Sequence, residues 1–177
     1  RRFFTLPEGF KRERVILHFG AVDQLAEVYL NGTSVGTNEG GYIPFSFDIT
    51  AHLRDGENEL TVKAIDRLDL KYPYGKQRKK RGGMWYTPVS GIWQTVWVES
   101  VPERYIEKIK ITTTMDNVNI KVAGGEKHKK ITLESGECFE FDGDSLDFCP
   151  DEKHLWSPEN PYLYTLGIEL VDGDQVI

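Results

Sequence analysis

The chain has 177 residues, a net charge of −6 and a pI near 5.3, with 39% hydrophobic and 12% aromatic side chains. That apolar supply is enough for packed cores and excludes wholesale disorder, and the length suits two small domains or one large sandwich, of which two domains are expected. The acidic balance offers no general attraction to nucleic acid or anionic membrane, and no apolar run approaches the roughly 18–20 residues that span a bilayer, so neither partner is expected.

Period-two alternation dominates from the start, and no window of helical length carries an apolar stripe, so the fold class is expected to be all-β. Arg1-Arg2-Phe3-Phe4 lacks the apolar centre of a signal peptide, and the first residue is not Met, so the compartment is not legible from this end. Val15 to Phe19 predicts a first strand, with Val15, Leu17 and Phe19 on one face. Ala26 to Leu30 predicts a second, which runs into Asn31-Gly32, the dipeptide best suited to positive φ at both centres of a type I′ turn. Pro44 to Ile49 alternates again, and Asp55-Gly56 turns the chain into Glu59–Ile65, with Leu60, Val62 and Ala64 expected on one face.

From Asp66 to Val89 the pattern breaks. Lys76, Arg78, Lys79, Lys80 and Arg81 form its basic tip, which reads first as a solvated loop and second as an anion site. Gly91 to Glu99 restores the alternation, with Ile92, Val96 and Val98 opposite Trp93, Thr95 and Trp97. Pro102-Glu103-Arg104 then reads as a linker, dividing the chain into domains 1–101 and 102–177. Beyond it, shorter strands are predicted at 106–113, 118–123, 130–133, 138–141 and 163–170, punctuated by turns as in an immunoglobulin-like sandwich. Cys138 and Cys149 are expected to be free thiols, and His18, His52, His128 and His154 lack metal-ligand spacing, so no metal and no cofactor are expected.

Four segments carry a resemblance. The first is Leu17 to Asp23 with Val28-Tyr29-Leu30-Asn31-Gly32. The second is Gly40-Gly41-Tyr42-Ile43-Pro44-Phe45 with Asp48-Ile49-Thr50 and Gly56 to Leu60. The third is Ser90 to Trp97, and the last is Leu155-Trp156-Ser157-Pro158-Glu159-Asn160-Pro161-Tyr162. In this order and at these spacings they resemble family 2 glycoside hydrolases, the group of β-galactosidases, β-glucuronidases and β-mannosidases. The resemblance implies a jelly-roll (galactose-binding-like) β-sandwich followed by an immunoglobulin-like β-sandwich. It further implies that strands of the first precede Arg1 and that a strand of the second follows Ile177. The motif residues themselves read as architecture, with Trp156 expected to plug the second sandwich's core.

Retaining glycosidases need two carboxylates about 5–5.5 Å apart. The resemblance places both on a (β/α)₈ barrel of the same polypeptide, which would be this chain's partner, and assigns no catalytic residue here; Glu159 precedes an asparagine, whereas the family's acid/base glutamate follows one. What remains is a contribution to a carbohydrate site by the 66–87 loop. In some members of the family that it resembles, an aspartate just ahead of the closing strand touches the sugar, where this chain reads Gly82-Gly83-Met84-Trp85-Tyr86. The candidate substrate-binding residues are therefore Trp85, Tyr86 and Tyr74, with Asp66 at the base, where it is expected to hold backbone amides. Tyr72, Tyr74, Trp85 and Tyr86 should be held more firmly than the basic tip. The implied activity is hydrolysis of terminal β-glycosidic bonds, galactoside first; a free-standing carbohydrate-binding or adhesion module is the alternative.

Overall fold

A computed structural model describes residues 1–73, 75–80, 82–125, 128–173 and 175–177. The fold is all-β: among the described residues the only helical piece is a 3₁₀ turn at Thr50–His52, and no helix is long and apolar enough to cross a membrane. The chain divides into two compact units, Arg1–Glu103 and Arg104–Ile177.

The first unit contains β1 (Arg2–Thr5), β2 (Arg14–Phe19), β3 (Val22–Asp23), β4 (Leu25–Leu30), β5 (Thr33–Glu39), β6 (Phe45–Asp48), β7 (Glu57–Ile65), β8 (Gly91–Ile92) and β9 (Val96–Val101). They form an antiparallel sheet of order β1-β7-β4-β5, a second of order β6-β2-β9, and a short β3-β8 pair. The predicted faces meet between the sheets: Val15, Leu17 and Phe19 of β2 pack with Ala26, Val28 and Leu30 of β4, all buried. Burying an aliphatic side chain of this size contributes about 1.5–3 kcal/mol, which holds the two layers together. On β7 burial fades along the strand, from buried Leu60 through half-buried Val62 to exposed Ala64, so the expected common face covers the core only at its start.

Leu30 pairs directly with Thr33, and Asn31 and Gly32 take φ of 53° and 83°, the type I′ geometry expected of this dipeptide. Asn31 does more than turn the chain. Its Nδ2 donates to His52 O and to Asn58 Oδ1, while its Oδ1 accepts from Glu59 N–H. Asn58 is buried, and it closes the Asp55-Gly56 turn by accepting from Arg54 N–H and donating to Arg54 O and Gly56 O. Asp48 organises the entry to the 3₁₀ turn that follows β6: its carboxylate accepts from the Thr50 amide and hydroxyl and from Arg14.

The strand expected over Gly91–Glu99 is two strands, β8 on β3 and β9 on β2. The break has a physical cause, because the intervening residues bond elsewhere: Trp93 N–H donates to Ala21 O, its indole N–H donates to Gly41 O, and Thr95 O accepts from Gly20 N–H.

The second unit contains β10 (Lys108–Thr113), β11 (Val118–Ala123), β12 (His128–Leu133), β13 (Cys138–Phe141), β14 (Ser145–Phe148), β15 (Leu166–Asp172) and β16 (Gln175–Val176). Sheets β10-β11-β14 and β13-β12-β15-β16 enclose Ile120, Val122, Ile131, Leu133, Phe141 and Phe148, an immunoglobulin-like two-layer arrangement. β14 escapes the sequence reading because it is four residues long and follows the acidic turn Asp142-Gly143-Asp144. Lys129 is buried within β12, its Nζ donating to Gly143 O at 2.7 Å and lying 5.9 Å from the Phe141 ring centroid.

Trp156 does not plug the core. Its side chain is 60% exposed, because 149–165 forms no strand and instead makes a turn in which Ser157 and Asn160 exchange backbone hydrogen bonds. The aromatic rings at the unit's core are instead those of Phe148 and Phe139, 4.4 Å apart and tilted by 33°. Both cysteines are free and exposed.

Candidate functional site

The β7–β8 connection is a long loop that folds on itself. Asp66 turns its Oδ1 onto Leu68 N–H at 2.8 Å, and Asp69 holds Lys71 N–H in the same way. These are the local side-chain bonds that aspartate offers to non-regular backbone. The Tyr72 hydroxyl donates to Glu39 at the end of β5. On the return, Tyr86 N–H donates to Lys76 O, and Val89 N–H to Gln77 Oε1.

Two cations of the basic tip lie over the expected sugar-stacking rings. The Arg78 guanidinium sits 4.3 Å from the Trp85 ring centroid, and Lys76 Nζ sits 6.0 Å from that of Tyr86. A quadrupole attraction of this kind contributes about 0.5–1 kcal/mol at an exposed site. Trp85 is half-buried and Tyr86 exposed. The loop therefore gathers Trp85 and Tyr86 with basic side chains, while the charged neighbour of Asp66 is Asp23. Tyr74 lies outside the described residues.

Asp23 opens a second concave feature that sequence reasoning missed, a cleft of about 260 Å³ lined by Asp23, Tyr42, Gln77, Ser90 and Trp93. The β3-β8 pair sets Asp23 opposite Gly91, and the indole bond to Gly41 O at 2.7 Å fixes the Trp93 ring. Tyr42 and Trp93 meet at 5.8 Å and 68°, a floor and a wall. Gly41 is required by close approach, since a Cβ there would stand 2.5 Å from Asp23 Oδ1. Burial, and then the negative charge of Asp66, hold the Asp23 carboxyl above the usual carboxylate range, and no donor among the described residues bonds it. The sequence signals were present in Gly40-Gly41-Tyr42 and Ile92-Trp93, but both read as architecture.

The second unit carries an apolar groove of about 420 Å³ whose walls include Ile111, Met115, Leu155, Trp156 and Leu163. Among the described residues, no three His, Cys, Asp or Glu side chains gather as a metal centre would require.

Residues 1–102 match the sequence profile described as glycosyl hydrolases family 2, sugar binding domain, and residues 97–177 match that described as glycosyl hydrolases family 2. A β-galactosidase of Thermoanaerobacter pseudethanolicus is 28% identical over 201 residues, covering 100% of this chain and 26% of the relative. A protein named as a putative β-glucuronidase of Formosa agariphila is 26% identical, covering 91% of the chain and 21% of the relative. The solved β-glucuronidase of Ruminococcus gnavus superposes with a TM-score of 0.75 at 26% identity, over 99% of the chain and 32% of that structure. The chain thus spans no more than about a third of these relatives' length. With both profiles matched in order from end to end, on two successive β-sandwiches, the chain belongs to glycosyl hydrolase family 2.

Proposed function

We propose that this chain is the non-catalytic, N-terminal segment of a retaining family 2 enzyme that hydrolyses terminal β-glycosidic bonds, with β-galactosides as its substrates. The observation that carries the reading is coverage: the two family profiles fill the chain, while the named relatives are glycosidases three to five times as long. In this reading the two active carboxylates reside on a (β/α)₈ barrel of the same polypeptide, and the chain supports that barrel and borders its mouth. The apolar groove around Trp156 supports it too, because exposed apolar surface of this kind marks a place where another surface packs.

The 66–87 loop is the part proposed to reach the substrate. Arg78 lies over the Trp85 ring at 4.3 Å, and in this reading the C–H surface of a sugar takes the ring's other face, with Tyr86 beside it in sequence; Asp66 serves the loop's own backbone. In the polypeptide that includes the barrel, Trp85→Ala should lower kcat/KM for a β-galactoside about tenfold, the equivalent of about 1.4 kcal/mol, with little change in melting midpoint. Barrel attachment should also increase hydrogen-exchange protection of the loop amides. Normal kcat/KM together with unchanged protection would reduce the loop to a surface excursion.

A further inference from the structure

We propose that the cleft beside Asp23 is a docking site for an arginine side chain of another polypeptide surface, its guanidinium held by Asp23 and Gln24 and laid against Trp93. Two sheltered acceptors there lack a donor. Asp23 is half-buried and Gln24 only 5% exposed, yet neither side chain is hydrogen-bonded among the described residues. Both point to one place, since a Cβ on Gly41 would stand 2.5 Å from Asp23 Oδ1 and 3.3 Å from Gln24 Oε1. Acceptors withdrawn from water without a donor are unfavourable. The fold does not require these two: the β3-β8 pairing uses the Asp23 backbone, and the bond from Gly40 N–H uses the Gln24 carbonyl. Asp66 adds a second negative charge close enough to act on Asp23. The missing group is therefore a cation with several N–H donors.

The walls select the kind of cation. Trp93 and Tyr42 leave 52% and 58% of their surfaces open, and their rings meet at 5.8 Å and 68°. The indole bond to Gly41 O holds the Trp93 ring in place. A guanidinium is planar and weakly hydrated, stacks on an aromatic face and carries its N–H donors in a fork that matches a carboxylate. It uses the ring, Asp23 and Gln24 Oε1 at once. An ammonium is more strongly hydrated and lacks the fork, and a calcium-type ion takes about six to eight oxygen ligands, where this cleft presents aromatic carbon. Lys76 and Arg78, which flank the lining residue Gln77, lie over Tyr86 and Trp85 instead.

Size and rim favour a side chain carried on a surface over a free ligand. The cleft holds about 260 Å³, below the roughly 300–1,000 Å³ of small-molecule pockets. Val89 in its lining and Ile43 next to Tyr42 are exposed apolar side chains, surface that a partner would cover, and arginine is among the residues that anchor such interfaces. All of these groups belong to the first unit, and none depends on which β-glycoside a longer polypeptide cleaves.

The test is titration of the 177-residue chain with N-acetyl-arginine methylamide, with its lysine counterpart, with its citrulline counterpart, which keeps the shape without the charge, and with free arginine, followed by saturation-transfer NMR and tryptophan fluorescence. The arginine amide should bind saturably, with the citrulline amide weaker by about tenfold or more and the lysine amide by about threefold or more. Free arginine should be the weaker of the two arginine probes, because Asp23 and Asp66 repel its carboxylate. Asp23→Asn should weaken binding about tenfold, and Asp66→Asn, which keeps its acceptor for Leu68 N–H, several-fold. Trp85→Ala should leave it unchanged. Absence of saturable binding by the arginine amide, equal binding of the citrulline amide, or unchanged affinity in Asp23→Asn would overturn the proposal. So would loss of binding in Trp85→Ala, which would move the guanidinium to the loop, tighter binding of free arginine, which would make the ligand a small molecule, or displacement of the amide by an equal concentration of calcium, which would give the cleft to a metal ion.

Discussion

Asn31 and Asn58 show how much a polar side chain does when it is buried with partners. Together they bond the β4–β5 hairpin, the Arg54–Gly56 turn and the start of β7, tying two chain reversals to one strand. Asn58→Ala leaves several of those backbone groups without partners and should destabilise the first unit by about 2–3 kcal/mol; a shift of the denaturation midpoint by less than half of that would show that water replaces the amide. Gly32 has open space where a Cβ would stand, so the cost of Gly32→Val comes from φ alone, and a loss of more than about 1 kcal/mol is expected in the same measurement. The sequence announced Gly32 through the turn type. It did not announce Asn58, because a lone asparagine near a turn looks the same whether it faces water or a cluster of backbone groups.

At the scale of elements, alternation proved a good guide where a strand buries one face against a sheet and a poor one where the chain leaves the ladder. β2 and β4 were legible for the first reason. β8 and β9 read as one strand because Ile92, Val96 and Val98 keep the period across a break that is caused by bonds to Ala21, Gly41 and Gly20, which no local pattern encodes. The candidate site was legible only in part for the same reason: the loop stood out by composition, whereas the Asp23 cleft depends on the β3-β8 pairing of residues 68 positions apart.

Electrostatics at this scale gives a pH dependence. His128 on β12 stands between Glu140 and Asp142, each 3.2 Å from a ring nitrogen, and the Glu140 and then the Asp142 hydrogen bond raise its pKa. The folded state thus holds the proton more tightly than the unfolded chain. Its contribution is complete below the free imidazole value of about 6.5 and is lost as pH rises through the higher folded value. His128→Gln should therefore flatten the melting midpoint of the second unit against pH from about 6.5 upward. A profile that keeps its slope in the variant would assign the dependence to another group. Asp48 works in the opposite sense. Burial pushes its carboxyl up, but the Thr50 hydroxyl and amide and then Arg14 outweigh that and leave it lowered, so its contribution is present at neutral pH and fades as pH falls through the folded value.

For the molecule as a whole, each unit has its own core and each leaves apolar side chains exposed, in the second unit those of the motif around Trp156 among them. Trp156, Leu155 and Leu163 are exposed although the sequence reads as a core motif. That mismatch is physical information, since exposed apolar surface of this kind is where another surface can pack. Trp156→Ser should leave the melting midpoint of the 177-residue chain within about 0.5 kcal/mol of unchanged, and should lower the stability of the longer polypeptide. Equal losses in both would place Trp156 in the unit's own packing after all. The function proposed for this family 2 chain puts the active carboxylates elsewhere in a longer polypeptide. Its most direct test is turnover of nitrophenyl β-D-galactopyranoside by the 177-residue chain and by the longest polypeptide that contains it. None is expected from the first and steady hydrolysis from the second. Turnover by the 177-residue chain that survives repurification and Glu159→Ala, or a longer polypeptide that cleaves no β-glycoside, would contradict it.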